Sequence, residues 1–471
     1  MKKFNPCTLL ASLSFVLALA SCSSDPVASS TSSGFDASSS QGDGKTHITF
    51  WHTMGKQNQD LLKSMITNFE KENPDIEVNE TAVTGSYDDL QSLILNNVVT
   101  GNLPTMAFCY PDNVAEYLDR NCVVDMSSYV GDSEIGFKES DGKSTASDGT
   151  MRTGVDDYVK AFWQEGIEYE KKGVYSVPFA KSTEALFYNK TIFDQHGWTV
   201  PATWDEMWDL CRTIREAYPE MEDGDYKVYP LGYDSDSNLF ITMCQQRGLD
   251  YTTNDLTNHD SHFIFNNSGV KSMLNELKGY YDEKLFKTKG TTANSTYTST
   301  KFTAGQILMS IGSTGGTSYQ STTNFDVAVA VPPSEDTNSP AVISQGPSIC
   351  FFNRSTDAEK RAAWKFYRHI SNATNSVIYG LSTGYQPVRY SSYETTAYKS
   401  FIEDAEDGNL FASVANLSST LFDSYFTSPV FVGSAKARTE VGSALASVML
   451  GKDVSTALDT AMSNCINSTR A

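Results

Sequence analysis

The sequence is poor in positive charge. It has 36 lysine and arginine residues against 57 aspartate and glutamate residues, for a formal net charge of -21. Nucleic acids and anionic lipid surfaces are bound through clustered lysine and arginine side chains. The composition therefore excludes both as the main partner of the protein, and it places no restriction on a small ligand.

The sequence also lacks the motifs of common enzymes and metal sites. It has no GxSxG or HExxH motif and no CxxC pair, which are signatures of hydrolases, metalloproteases and zinc sites. His259 and His262 lie on either side of Asp260, but their loop offers no further metal donors. We therefore predict a protein that is not an enzyme and that holds no metal and no cofactor.

Long apolar runs are scarce as well. The run Leu9 to Ala20 follows Lys2 and Lys3, and it is shorter than the roughly 20 residues that a bilayer span requires. Small residues then precede Cys22, as in the signal of a bacterial lipoprotein. We expect residues 1–21 to be a signal peptide and Cys22 to carry the lipid, with an extracytoplasmic location.

The segment that follows is small, polar and rich in serine, and it cannot bury enough apolar surface to order itself. We expect residues 22–45 to be a flexible tether. The remaining part is long enough for two lobes with separate cores. It contains six cysteines, which the spacing allows to be either disulfide-bonded or buried thiols: Cys109, Cys122, Cys211, Cys244, Cys350 and Cys465.

The pattern of apolar residues after the tether alternates between strands and helices. The segment His47 to Trp51 predicts a buried strand, helical spacing follows until Asn73, and alternation resumes at Ile76. This order predicts a βαβ unit, and hence an α/β fold with mainly parallel sheets. Ligands of such sheets bind at the carboxyl ends of the strands, here the loops that follow Trp51, Tyr110 and Pro178.

Other patterns predict further elements in the rest of the chain. Thr203 and Glu206 have the spacing of a helix capping box. The polar segment Gly131 to Asp157 predicts a long loop on the protein surface. The segment Val174 to Pro178 predicts a strand. Residues 434–463 predict a final helix with a break at Gly451.

Seven strings occur in order along the chain: ITFWHTM, TGSYDDLQ, GVYSVPFAKSTEALFYNK, VPATWDEM, FTAGQILMSIGSTGG, DVAVAVPP and LSTGYQPVR. In this order they resemble a known family, the large-lobed extracellular solute-binding proteins of the maltose and glycerol-3-phosphate importer type. Among its branches the glycerol-3-phosphate-binding one has the most similar strings, at WHTM, SYDDLQ and TGYQPV.

The resemblance implies a periplasmic-binding-protein clamshell of two doubly wound α/β lobes that three crossovers join. The crossovers are expected near residues 179–182, 332–343 and 411–427. Lobe 1 would comprise 46–181 with 338–412, and lobe 2 would comprise 182–337 with 413–471. The implied partners are a small-molecule ligand and the permease subunits of an ABC transporter, and the chain is expected to be a monomer.

The resemblance also implies a ligand set, whose residue types suit a phosphate monoester. Two positions depart from the family pattern. The family has a glutamate that is missing here, and Asp112 lies next to its position as an approximate replacement. The family also has a pair of tryptophans that is missing here, and Phe240 could replace one of them. The implied ligand-binding residues are Tyr87, Asp112, Ser182, Phe240, Ser313, Gly346, Tyr385 and Arg438.

Alternatives to the expected ligand and function stay open at this point. The leading ligand is glycerol 3-phosphate or a glycerophosphodiester, and the second is a sugar or oligosaccharide taken up by the same class of importer. Functions of another class are a secreted glycoside hydrolase, which would use two carboxylates, and a surface adhesin that keeps the fold.

Overall fold

The computed structural model describes residues 44–222, 225–405 and 407–469. The predicted signal peptide, Cys22 and nearly all of the predicted tether lie outside the described residues. The strands are β1 Thr46–His52, β2 Ile76–Ala82, β3 Met106–Cys109, β4 Lys143–Thr145, β5 Met151–Thr153, β6 Val177–Pro178, β7 Glu184–Asn189, β8 Met221–Glu222, β9 Asp225–Tyr226, β10 Tyr229–Tyr233, β11 Phe286–Thr288, β12 Ile307–Ser313, β13 Val327–Ala330, β14 Val342–Ile343, β15 Ser348–Phe351 and β16 Tyr425–Phe426.

The helices alternate with these strands along most of the chain. They are α1 Lys56–Glu72, α2 Tyr87–Thr100, α3 Pro111–Asp119, α4 Ser127–Val130, α5 Lys160–Gln164, α6 Lys190–His196, α7 Trp204–Ala217, α8 Asp236–Gln246, α9 Ser268–Asp282, α10 Thr298–Thr303, α11 Thr317–Gln320, α12 Asp357–Ile370, α13 Ala373–Thr383, α14 Tyr390–Glu394, α15 Thr396–Glu403, α16 Leu410–Ser419, α17 Ser434–Met449 and α18 Val454–Ser468.

The first lobe is built on a five-stranded sheet in the order β2-β1-β3-β15-β6. The strand β3 is buried over all four of its residues, whereas the edge strand β2 is buried only at Ile76 and Val78. Ile48 and Phe50 on β1 are fully buried, and they share one core with Trp364 of α12. The predicted opening βαβ unit is confirmed, with β1 and β2 parallel and in register from Thr46 opposite Ile76.

The second lobe is built on another five-stranded sheet, in the order β11-β10-β12-β7-β13. Strand β12 is buried over its first six residues, which explains its nearly continuous apolar sequence. Helix α7 packs on this core through Trp204 and Trp208, and it begins at the predicted capping box of Thr203 and Glu206. Gly451 separates α17 from α18 as predicted, with a φ of 105°.

Each sheet is mainly parallel, as expected, and contains one strand that runs against its neighbours. In the first sheet only β15 runs against its neighbours, and in the second only β7 does so. Both of these strands directly follow a crossover between the lobes. A strand that leaves the junction must run away from it, whereas the parallel strands β1, β3, β10 and β12 run toward it. Their carboxyl ends therefore face the space between the lobes.

The crossover segments lie side by side and form a hinge. The backbones of Ser182 and Gln345 exchange two hydrogen bonds, of 2.9 and 2.8 Å. Strand β14 of the second crossover pairs in parallel with β16 of the third, and Val342 lies opposite Tyr425. The hinge is thus held by backbone hydrogen bonds between segments that are distant in the sequence.

Two local predictions differ from the structure. The segment Val174 to Pro178 is a strand only at Val177–Pro178. The segment Gly131 to Asp157 is not wholly superficial, because it contains the hairpin β4–β5 and ends at Asp157, which is fully buried. The Asp157 carboxylate accepts hydrogen bonds of 2.6 Å from both Ser144 and Ser391, and these bonds draw the polar segment into the lobe.

The cysteines of the described residues are all buried and unpaired thiols. They are distributed over both cores, with Cys109 and Cys350 on neighbouring strands of the first sheet. Of the two possibilities that the sequence left open, the structure has the buried thiols.

Replacement of Gly346 by alanine is expected to destabilise the hinge. Gly346 has a φ of 93°, and a Cβ atom there would lie 2.3 Å from the Ala180 carbonyl oxygen. Because that contact is with backbone, we expect a loss of about 1–3 kcal/mol in the free energy of unfolding. Denaturant unfolding measures it, with Gly101→Ala as the control, since Gly101 also has positive φ but no atom within 4 Å of the added Cβ. Equal losses in the two variants would contradict the proposed clash.

Candidate functional site

A cavity of about 520 Å³ lies between the two lobes and the hinge. Its volume is within the range of roughly 300–1,000 Å³ that is usual for small-molecule sites. It is formed by Asp88, Tyr110, Pro111, Asp112, Asn113, Glu165 and Glu168 from the first lobe, by Ile343, Ser344, Gln345, Gly346, Thr427, Ser428, Pro429 and Val430 from the hinge, and by Ser235, Ser237, Asn254, Ala435, Arg438 and Thr439 from the second lobe.

The wall from the first lobe is rich in carboxylates. It begins where β3 ends, so that Tyr110 and the first turn of α3 face the cavity, in agreement with the rule for open α/β sheets. Asp88, Asp112 and Glu168 contribute carboxylates to this wall. Burial raises the pKa of the Tyr110 hydroxyl. This hydroxyl is therefore neutral at physiological pH and is able to donate a hydrogen bond.

The wall from the second lobe offers hydroxyls and one cation. Ser235 and Ser237 lie at the amino end of α8. Arg438 and Thr439 of α17 lie on the same helix face as Ala435, at the spacing that brings side chains together. Arg438 is the only lysine or arginine among the described residues that line the cavity.

The Arg438 guanidinium has few protein partners. Within the described chain its one hydrogen-bond acceptor is the Asn238 side-chain oxygen. Arg389, which is fully buried in the first lobe, is different: it donates to the Ser371 carbonyl and the Tyr158 hydroxyl at 2.7 and 2.8 Å, and it pairs with Asp157. A guanidinium has five N–H donors. Most of those on Arg438 are therefore available to a ligand.

The two lobes touch at one rim of the cavity. The Ser434 hydroxyl of α17 donates a 2.6 Å hydrogen bond to Asp112 of α3. Beside it, the Gly433 backbone N–H donates to Glu116 at 2.9 Å. Burial raises the pKa of Asp112, and the Ser434 hydrogen bond and the nearby Arg438 charge counteract this shift. Asp112 thus lines the cavity and also joins the lobes.

A buried ion pair supports the cavity wall at the hinge. The Lys181 ammonium lies 2.5 Å from a carboxylate oxygen of Glu165, and the two side chains are 0% and 3% exposed. The Ser344 hydroxyl donates to the other oxygen of Glu165, and Lys181 also donates to the Gly346 carbonyl at 3.2 Å. The pair therefore links the first lobe to two of the three crossovers.

The structure brings some of the predicted ligand residues to the cavity and leaves others outside it. Asp112, Gly346 and Arg438 line the cavity. Tyr87 lies next to this wall, with its ring centroid 4.4 Å from that of Tyr110. Tyr385 packs against Gly315, where an added Cβ would lie 2.8 Å from its ring. Burial raises the pKa of both Tyr87 and Tyr385.

The other predicted residues do not line this cavity. Ser182 forms the hinge backbone, and the Ser313 hydroxyl accepts a 3.2 Å hydrogen bond from the Gly315 N–H. Phe240 is 0% exposed and packs in the second core. The physical reason is its position on α8: Ser237 lines the cavity, whereas Phe240 lies further along the helix and packs against Tyr251 and Phe265. The structure therefore does not put the Phe240 ring in the place of the missing tryptophans.

Several cavity residues were not identified from the sequence. Glu165 and Glu168 follow a short helix without any motif, and Gln345 lies in an irregular crossover. Ser235 and Ser237 lie in the stretch where the family resemblance fails. Their position directly after the strand β10 could have identified them as cavity residues, because the carboxyl ends of the strands form the binding site in such sheets.

A comparison of the sequence with family profiles decides the class of the protein. The profile described as "Bacterial extracellular solute-binding protein" matches residues 64–406, which is well over half of the chain. This chain is a bacterial extracellular solute-binding protein. It belongs to the ABC-importer family of such proteins, as the order of its sequence motifs predicted.

The relatives of this solute-binding protein include proteins for two kinds of ligand. The sn-glycerol-3-phosphate-binding periplasmic protein UgpB of Escherichia coli K12 is 25% identical over 375 residues, which cover 76% of this chain and 78% of the relative. The multiple sugar-binding protein of Streptococcus mutans is 29% identical over 161 residues. That match covers only 34% of this chain and 32% of the relative.

Solved structures confirm the predicted fold class. UgpB from Mycobacterium tuberculosis in complex with glycerophosphocholine matches with a TM-score of 0.73 and 18% identity, over 91% of this chain and 99% of the other. The cyclic alpha-maltosyl-1,6-maltose binding protein of Arthrobacter globiformis matches with a TM-score of 0.67 and 19% identity, over 90% and 98% of the two chains. The solute-binding protein thus has the two-lobed α/β fold of its class. Among the described residues no helix is long and apolar enough to cross a membrane.

Replacement of Lys181 by methionine is expected to destabilise the solute-binding protein strongly. The substitution leaves the Glu165 carboxylate buried without its cation, and such a change costs about 3–5 kcal/mol in the free energy of unfolding. The double variant Lys181→Met/Glu165→Gln should recover part of this loss, because it removes the unpaired charge. Denaturant unfolding measures both variants.

The matched control is Lys278→Met. Lys278 and Asp282 form an ion pair with the same 2.5 Å distance, but their side chains are 27% and 58% exposed. Solvent reduces the contribution of such a pair to less than about 1 kcal/mol. A loss of this small size for Lys181→Met would show that the buried pair does not stabilise the hinge.

Proposed function

We propose that this solute-binding protein captures a phosphorylated polyol, glycerol 3-phosphate or a glycerophosphodiester, and delivers it to the permease of an ABC importer. The observation that carries the proposal is the position of Arg438. It is the single cation among the described cavity residues, and most of its donors have no protein partner.

The surroundings of Arg438 suit a phosphate group. A guanidinium can donate two parallel hydrogen bonds to phosphate oxygens. Ser235, Ser237 and Thr439 supply hydroxyls on the same wall. Ser235 is the N-cap of the 11-residue helix α8, whose amino end adds positive potential. These groups would form the anion-binding end of the site.

The opposite wall suits the rest of such a ligand. Asp88, Asp112 and Glu168 accept hydrogen bonds from the hydroxyls of a polyol, and their charge also favours a cationic head group. A glycerophosphodiester with a cationic head group combines an anion with a cation and matches both walls. The similarity to a UgpB structure in complex with glycerophosphocholine agrees with this choice.

The second candidate ligand is a sugar or oligosaccharide. Carboxylates and the Tyr110 ring are the groups that commonly recognise sugar hydroxyls and sugar faces, and both are present in the cavity. Relatives of this chain include sugar-binding proteins. A neutral sugar, however, gives Arg438 no charge to neutralise, and this favours the phosphorylated ligand.

The mechanism we propose is closure of the two lobes on the ligand. A ligand that contacts Arg438 on one wall and the carboxylates on the other binds the closed form more tightly, and it therefore shifts the population toward that form. The contact between Ser434 and Asp112 would lie at the rim of the closed form. The closed form would then be the one that the permease recognises.

Further proposals concern the state of the protein in the cell. We propose a monomer that has no catalytic activity and is anchored outside the cytoplasm by a lipid on Cys22. We also propose the lobe limits 46–181 with 338–412 and 182–337 with 413–471. Light scattering tests the monomeric state, and analysis of bound ligands for reaction products tests the absence of catalysis. A crystal structure with the two lobes at a different angle about the hinge tests the lobe limits.

A thermal-shift screen with the Arg438→Ala variant tests the ligand class. We expect glycerophosphocholine and glycerol 3-phosphate to raise the melting temperature of the wild type, since both bind only the native state. Arg438→Ala should weaken their binding about 100-fold, which corresponds to roughly 2.7 kcal/mol. Arg438→Lys should restore part of the affinity, because lysine keeps the positive charge but cannot donate two parallel hydrogen bonds to the phosphate.

The control for this screen is Lys436→Ala. Lys436 lies on the same helix but pairs with Glu440 and does not line the cavity. It should leave ligand binding unchanged. A response to maltose or other oligosaccharides that survives Arg438→Ala, without any response to phosphorylated compounds, would replace the proposed ligand by a sugar and keep the importer function.

Replacement of Cys22 by serine tests the anchor. Serine cannot form the thioether to the lipid, so we expect the variant to leave the membrane fraction and to lose labelling by a radioactive fatty acid. Cys7→Ser is the control, since Cys7 lies inside the predicted signal peptide and should have no effect on either measurement. Fatty-acid labelling of the Cys22→Ser variant would argue against the proposal.

A further inference from the structure

A chain of buried side chains extends behind Arg438 into the second lobe. The Asn238 side-chain oxygen accepts from the Arg438 guanidinium, and the Asn238 amide N–H₂ donates to Glu184 at 2.8 Å. The other carboxylate oxygen of Glu184 accepts from the Tyr233 hydroxyl. Asn238 is 4% exposed and Glu184 is 3% exposed. Neither lines the cavity, so neither touches a ligand there.

The chemistry of these groups permits only one orientation of the Asn238 amide. The guanidinium only donates hydrogen bonds, so it must meet the amide oxygen. The amide nitrogen then faces Glu184, which accepts. Because Asn238 is held by its backbone as well, through the Ser235 cap of α8, its oxygen is a fixed acceptor for Arg438. The guanidinium cannot turn away without losing this bond.

The charge on Glu184 acts on the anion-binding end of the site. The titratable and charged groups that face it are Tyr233 on β10, Asp234 just after that strand, and Arg438 on α17. Its strand neighbour on β12 is Ser313, which does not titrate. Burial raises the pKa of Glu184 to about 7, and the hydrogen bonds from Tyr233 and Asn238 and the Arg438 charge counteract this shift.

We infer that Asn238, oriented by Glu184, is a positioning residue for Arg438, and that the charge on Glu184 controls how tightly the site holds an anion. This inference rests on the proposed phosphorylated ligand. Asn238 fixes the direction of the guanidinium fork. An ionised Glu184 partly neutralises the positive charge of Arg438. A protonated Glu184 does not, so the full positive charge of Arg438 attracts the anionic ligand. The protonated form can donate to the Tyr233 oxygen, so its other oxygen still accepts from Asn238.

The direction of the pH effect follows from charge. A bound anion repels an ionised Glu184 and favours its protonated form, so anion binding and proton uptake are linked. The affinity for an anion should therefore rise as the pH falls through about 7, where Glu184 takes up its proton. A ligand used to test this must not titrate in the same range. Glycerol 3-phosphate is unsuitable, because a phosphate monoester has a second pKa of about 6.

The experiment is a calorimetric titration of the protein with glycerophosphocholine, whose phosphodiester keeps one charge throughout. It compares wild type, Glu184→Gln and Asn238→Leu at roughly one pH unit below and one above the Glu184 pKa of about 7. Met243→Leu, on the same helix and buried in the second core, is the matched control for a change of packing in α8. Thermal unfolding of each variant checks that it is folded.

We expect wild type and Met243→Leu to bind at least about fivefold more tightly at the lower pH, the small end of ordinary coupling between sites. Glu184→Gln should bind with an affinity that does not change with pH. Asn238→Leu should bind roughly tenfold more weakly at both values, because the guanidinium is no longer held in place.

Other outcomes would overturn the inference in distinguishable ways. A wild type that binds glycerophosphocholine without any pH dependence, or a Glu184→Gln variant that keeps the dependence, removes Glu184 from the mechanism. Unchanged affinity in a folded Asn238→Leu variant removes Asn238. Failure of the wild type to bind any phosphorylated compound at either pH overturns the proposed function, and this inference with it.

Discussion

The ion pair between Lys181 and Glu165 is the interaction on which the arrangement of the lobes depends. Two charges can be buried at a hinge only if each one is paired and its remaining hydrogen-bonding atoms are satisfied. Ser344 and the Gly346 carbonyl satisfy them here. The first and second crossovers are therefore tied to the first lobe at one point, directly beneath the wall of the cavity.

The direction of the strands explains why the cavity lies beside this ion pair. The strands that run toward the hinge end at the space between the lobes, and the turns after them place Tyr110 and Ser235 on opposite walls. Within the two five-stranded sheets of the described chain, only the strands β7 and β15, which start at the hinge, run the other way. The clamshell geometry thus follows from the direction in which the chain enters each sheet.

The contrast between Arg389 and Arg438 separates a structural cation from a candidate binding cation. Arg389 is completely buried, and protein groups satisfy it. Arg438 is half-buried at the cavity, with one acceptor on its far side. Their immediate sequence context does not distinguish the two residues. The difference arises from the elements that surround each side chain, and only the folded chain brings these together.

The opening βαβ unit and several helix boundaries could be predicted because they depend on local patterns. The apolar spacing of α1, the capping box of Thr203 and the break at Gly451 are encoded by residues a few positions apart. The short strand Val177–Pro178 and the burial of Asp157 were not predictable in this way. Both depend on partners far away in the sequence, such as Ser391 and the strand β15.

The sequence by itself determined the class of the protein and one of the loops that line the cavity, the one that follows the strand β3 at Tyr110. Its composition excluded polyanionic partners, and its motifs, taken in order, indicated a solute-binding protein. It predicted Asp112, Gly346 and Arg438, which line the cavity, and also Phe240, which does not. Only the tertiary structure decided that Phe240 belongs to the core, that Glu165 is paired with Lys181, and that Asn238 holds Arg438. The reason is physical: a pattern along the chain shows which face of a helix is apolar, whereas the packing of distant segments decides which polar groups meet.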